Sequence, residues 1–287
     1  MADWLCMGTI RVKMQQNDTS SRLPNANQLS VLVAVILLAY AVTPFIRIPE
    51  QGFTLPLPGV VFDFKLDFST IVSFVVAALA AFGMDWLLRT RPQVEGRQAI
   101  QHLILPALMA WLIGFPLRTL EIGLQWWAVF TLGGLLLIIV FIAEYVVVDY
   151  SDRFYALATS ALVAVSFAAF LFLSVAVRAA GFRLYVVLPV LFLSIALVSL
   201  RTLYLRLDRR WRFTWAILIG LVVGQFAIGF HYLPLAPLNY GLLLLGPAYV
   251  LISFANQYEE KQYQQWFWLE PAVVFLLLWI LGLTVRS

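Results

Sequence analysis

Between Leu29 and Val285 the sequence is a near-continuous series of apolar stretches of about 17 to 27 residues, each long enough at 1.5 Å per residue to cross the hydrocarbon core of a bilayer. Inside lipid the backbone polar groups must be satisfied within each segment, so these stretches read as helices. Composition supports the same reading: 62% of residues are hydrophobic, 12% are charged, and the mean hydropathy is +0.90. The connections are too short for a soluble domain. The expected fold is therefore an all-α integral membrane protein, a polytopic bundle of about nine transmembrane helices. Residues 1–28 read as a mobile cytoplasmic tail and 29–287 as a single transmembrane domain. The first ten residues, MADWLCMGTI, lack the basic leader and the apolar core of a signal peptide.

The spacing predicts helices near 29–46, 68–88, 99–117, 122–148, 154–177, 184–200, 213–230, 235–254 and 267–285, the sixth continuing into an amphipathic extension from Arg201 to Asp208. An eight-helix alternative makes 99–117 re-entrant, because Pro106 and Pro116 interrupt it.

A formal charge of +4 and a pI near 9.3 do not point to nucleic acid, because the basic residues are scattered at segment ends. They point to topology instead. With the N-terminus inside, thirteen Lys and Arg fall on the inner side and six on the outer, namely Arg47, Lys65, Arg118, Arg178, Arg183 and Arg286. This places the chain in the cell membrane as a multi-pass protein, N-terminus cytoplasmic and C-terminus extracytoplasmic. The inner segment RTLYLRLDRRWR carries Arg201, Arg206, Arg209, Arg210 and Arg212, candidate contacts for anionic lipid at the inner face.

The first outer connection differs from the rest. Phe62, Phe64, Leu66 and Phe68 alternate with Asp63, Lys65 and Asp67, a period of two that predicts a strand. Pairing with Phe53–Leu57 across Pro58-Gly59 would give a short extracytoplasmic β-hairpin or flap over about 52–68.

Charged groups at membrane depth are costly and are therefore candidate functional groups. Asp85 and Arg89 are spaced for a pair one helical turn apart. Glu144, with Asp149 and Asp152, reads as a solvated inner helix end. At the outer helix ends Arg118, Glu121, Arg178 and His231 are the candidate catalytic group: Glu121 or His231 as a base, the arginines holding phosphate or carboxylate. His102 and His231 fall near opposite faces and do not share a metal or haem, and Cys6, the only cysteine, excludes a cysteine-built metal centre within one chain. No metal site is expected, and no cofactor is indicated. Gln225, with Gly220, Gly224 and Gly229, forms a small-residue face on the seventh helix, and Gly246-Pro247 is expected to kink the eighth.

No phosphate-binding loop, HExxH, GxSxG or GxGxxG pattern is present. The reading is of a polytopic membrane protein without a recognisable catalytic motif, more in keeping with a non-enzyme: a structural or accessory subunit with the bilayer and other membrane proteins as partners. Two alternatives stand beside it, a transporter of a small or amphipathic solute and a membrane enzyme acting on a lipid-linked or phosphorylated substrate at the outer face.

Overall fold

The computed structural model describes residues 24–46, 51–57, 60–66, 68–89, 100–149, 152–207, 211–260 and 268–284, with the backbone alone for 51–66. Nine α-helices follow one another among these residues: α1 Ala26–Val42, α2 Phe68–Leu88, α3 Ile100–Thr119, α4 Leu124–Val147, α5 Tyr155–Ala179, α6 Leu184–Arg206, α7 Phe213–His231, α8 Pro237–Glu260 and α9 Leu269–Thr284. Seven of them, α1, α2 and α4 to α8, are long and apolar enough to cross a membrane. The protein is a multi-pass helical membrane protein. Its exterior fits that solvent: on α9, Leu276, Leu277, Ile280, Leu281 and Leu283 are all exposed, an apolar face that water would not tolerate and lipid does.

Helix α1 starts at Ala26 because the Asn25 side chain accepts the Asn27 N–H at 3.1 Å, satisfying one orphan donor of the first turn. The last three residues assigned to the tail are thus helical, and residues 1–23 lie outside the described residues. Between α1 and α2 the backbone of β1 (Gln51–Leu57) pairs antiparallel with β2 (Val60–Leu66), with Phe53 opposite Phe64 and Leu55 opposite Phe62. Pro58-Gly59, the expected turn, lies outside the described residues.

Helix α3 runs unbroken through Pro106 and Pro116, and its 20 residues span about 30 Å. A proline in a helix removes one internal hydrogen bond without ending the helix when neighbours support it, so the re-entrant alternative gives way to a continuous helix. Helix α6 continues past the apolar run that ends at 200 and stays helical to Arg206, in keeping with the amphipathic extension expected over Arg201 to Asp208.

The chain divides into two compact units, Met1–Leu162 and Val163–Ser287, the boundary falling inside α5. In the first unit α1 packs on α2 and α4, α2 on α3, and α3 on α4. Glycines set these approaches: Gly83 of α2 lies under Leu32 of α1, Gly133 of α4 against Ile113 of α3, and Gly134 of α4 against Leu37 of α1. Trp126 donates its indole N–H to the Leu117 carbonyl at 3.2 Å, tying the start of α4 to the end of α3 across their tight turn. In the second unit α6 packs on α7 and α8, and α8 on α7 and α9. Gly220 and Gly224 of α7 face Phe192 and Leu188 of α6, so most of that small-residue face serves helix contact. Gly246 of α8 is covered by Phe275 and Trp279 of α9, and α8 continues through Pro247.

Candidate functional site

The buried polar centre of the first unit is built from the first turn of α3 and the last turn of α4. His102 Nδ1 lies 2.7 Å from Glu144 Oε2, with side-chain exposures of 3% and 0%. Gln101 sits beside them, its amide nitrogen 3.4 Å from His102 Nε2. Gln101 and Glu144 thus flank the imidazole at its two ring nitrogens. The arrangement sets two titratable side chains in contact, both buried. Such a pair can lock two helices together or carry a proton, and burying it is costly.

This overturns the expectation that Glu144 is a solvated helix end. The last turn of α4 is covered, with Tyr145, Val146 and Val147 buried alongside Glu144, because α4 packs against α3 down to that level. The partner of Glu144 is His102, which the sequence placed apart from His231 and assigned no partner. Asp85 and Arg89 do form the pair their spacing anticipates, at 2.7 Å on the exposed end of α2.

The outer-face candidates divide between the two units. Arg118 closes α3, exposed, with its guanidinium 5.6 Å from the Phe115 ring, and Glu121 lies exposed in the turn before α4. In the second unit Arg178, at the end of α5, donates from Nη1 to the His231 carbonyl at 3.0 Å and from Nη2 to the Leu233 carbonyl at 2.9 Å, and it lies 5.4 Å from the Tyr240 ring. Arg178 and His231 are therefore brought together, but through the backbone of His231: the arginine clamps the turn between α7 and α8.

The inner arginines also separate. Arg201 is 2% exposed and sits 6.0 Å from the Tyr204 ring, among the buried Thr202, Leu203 and Leu205. As a headgroup contact it is corrected: because α6 stays helical to Arg206, Arg201 falls within the packed part of the helix. Arg206 is exposed, and Arg209 and Arg210 lie outside the described residues. Arg212 pairs with Glu259 at 2.8 Å, and Trp215 donates to the same carboxylate at 2.9 Å, joining the start of α7 to the end of α8. Because both partners are partly exposed (36% and 19%), replacing Glu259 with Gln is expected to cost no more than about 1 kcal/mol, read as a small fall in thermal midpoint in detergent. Among the described residues no three His, Cys, Asp or Glu side chains come together to hold a metal ion.

The profile of one protein family, described as "Protein of unknown function (DUF5656)", matches residues 48–285. The chain belongs to the DUF5656 family. The DUF5656 region takes in β1, β2 and α2 to α9, and with them His102, Glu144, Arg178 and His231, while α1 precedes it. No curated protein and no solved structure matches the chain.

Proposed function

We propose that this DUF5656 protein is a structural or accessory subunit of a cell-membrane assembly, with its N-terminus cytoplasmic and its C-terminus extracytoplasmic. The supporting observation is how its polar groups are used. Glu144 bonds His102, Arg178 binds backbone carbonyls, Glu259 takes Arg212 and Trp215, and Glu270 accepts from Tyr249 at 3.0 Å. Side chains that could have formed a reaction centre hold helices or turns in place instead. The excess of basic residues on the inner side supports the orientation, and in that orientation the paired β1–β2 backbone is a flap on the extracytoplasmic surface. Extraction in mild detergent followed by native electrophoresis tests the reading. A defined complex larger than one chain, reproducible by cross-linking in intact membranes, is the expected result. A monomer that turns over a substrate by itself would end this reading. A cysteine placed at Ser287 in a Cys6→Ser background should react with an impermeant maleimide added from outside, and labelling only after lysis would reverse the orientation.

A second reading, proton-linked movement of a small or amphipathic solute, is favoured by the buried His102–Glu144 pair, since ionisable groups at membrane depth so often mark proton paths. In proteoliposomes Glu144→Gln should then abolish solute-dependent proton movement in a variant that remains folded. Equal proton flux in both proteins would remove this reading.

A further inference from the structure

Helix α7 carries a groove of about 450 Å³, lined by Gln225, Phe226, Gly229 and Phe230 and by Leu233 of the following turn. That volume is in the range of small-molecule sites. Three features separate it from an ordinary lipid-facing surface. Gly229 is open: a Cβ there would meet nothing within 4 Å, whereas at Gly220 it would meet Phe192 of α6 at 2.8 Å and at Gly224 it would meet Leu188 at 3.4 Å. Helix packing thus explains the first two glycines and not the third. Gln225 is an exposed amide six residues before His231, about 9 Å below the helix end, and it forms no hydrogen bond among the described residues. Hydrocarbon alone would leave that amide unsatisfied. Finally, a cation is bonded to one of the residues lining the groove. Leu233, which lines it, offers its carbonyl to Arg178 at 2.9 Å, and among the described residues no carboxylate pairs with Arg178.

We propose that this groove is a binding site for one anionic glycerophospholipid. Its acyl chain runs over Phe226, Gly229 and Phe230, an ester carbonyl accepts from the Gln225 amide, and the phosphate meets Arg178. The charge selects this occupant. Arg178 spends two of its five N–H donors on carbonyls, which supply dipoles and no neutralising charge, so three donors and a full positive charge remain for an anion. An apolar partner helix or a neutral lipid would fill the groove and leave that charge unanswered. Gly229 keeps the chain's path clear.

Native mass spectrometry of the full-length protein in mild detergent, titrated with phosphatidylglycerol or with phosphatidylcholine, tests the assignment. One phosphatidylglycerol is expected to stay bound at roughly tenfold lower concentration than phosphatidylcholine, the increment of a single charge-assisted contact. Gly229→Leu should weaken phosphatidylglycerol retention about tenfold with an unchanged thermal midpoint, because the added side chain enters open space. Arg178→Lys should narrow the preference between the two lipids. Since Arg178 also holds its turn, Gly229→Leu is the variant that separates binding from folding. Equal retention of both lipids by the wild type would overturn the proposal, as would undiminished phosphatidylglycerol on Gly229→Leu, or a dimer without bound lipid whose formation Gly229→Leu abolishes.

Discussion

Replacing His102 with leucine is expected to destabilise the protein by about 3–5 kcal/mol, because the substitution leaves the fully covered Glu144 carboxyl without its ring partner. Nothing in the surroundings can let water reach it cheaply, since Glu144 is 0% exposed and the last turn of α4 is buried around it. Glu144→Leu should also be costly, by stranding the imidazole beside Gln101. The informative variant is the double replacement. Two leucines remove both polar groups at once, and a buried pair replaced by apolar side chains of similar volume is often neutral or stabilising. The two single losses should therefore fail to add, with a coupling energy of about 1–3 kcal/mol in a double-mutant cycle. Thermal or denaturant unfolding in detergent micelles supplies all four midpoints. If each single leucine variant unfolds within about 1 kcal/mol of wild type, the pair is solvated and the description of this site is wrong.

The sequence made the helices legible and hid the pair, and one physical fact accounts for both. Hydropathy along a chain reports the lipid solvent, which every spanning segment meets, so α1 to α9 begin and end within a few residues of where apolar runs start and stop, apart from the C-terminal ends of α6 and α8, which run on to Arg206 and Glu260. In α6 Arg201 interrupts the apolar run but not the helix, because backbone hydrogen bonds do not depend on hydropathy. Pairing across helices depends on which faces meet, and a single sequence carries little of that. Glu144 looked solvated because it lies near the end of a long helix with Asp149 and Asp152 beyond it. A local signal was present. Helices joined by a short turn lie antiparallel, and Gly123 in the α3–α4 turn is 21 residues from His102 and 21 from Glu144, which puts both at the same depth. Arg178 offers no comparable clue, since its partners are backbone carbonyls 53 and 55 residues away, and any residue type could have supplied them. The open Gly229 was likewise indistinguishable in sequence from Gly220 and Gly224, which pack.

Placing leucine at Gly114 is expected to be the most disruptive small-to-large change in the first unit. Three helices converge there: a Cβ on Gly114 of α3 would lie 2.8 Å from Ser73 Oγ of α2 and 2.8 Å from both Cε1 and the hydroxyl of Tyr40 of α1. Tyr40 cannot swing aside freely, because it is buried and donates its hydroxyl to the Ala110 carbonyl of α3. Overpacking of this kind costs about 1–3 kcal/mol, and moving the ring also forfeits a hydrogen bond of about 0.5–1.5 kcal/mol. Against this stands the better helix propensity of any side chain over glycine, about 1 kcal/mol at most, so the net sign remains unfavourable. Alanine at the same position should lose less than leucine, and adding Tyr40→Phe to Gly114→Leu should recover part of the loss by removing the hydroxyl, one of the two clashing Tyr40 atoms. Gly229→Ala supplies the control on the other side of the argument: with nothing within 4 Å of the new methyl, only the propensity gain remains, and its unfolding midpoint should match or exceed wild type. Unfolding curves for the wild type and the four variants in one detergent separate the two effects. A Gly114→Leu midpoint equal to that of Gly229→Ala would mean that α1, α2 and α3 do not approach one another through this glycine.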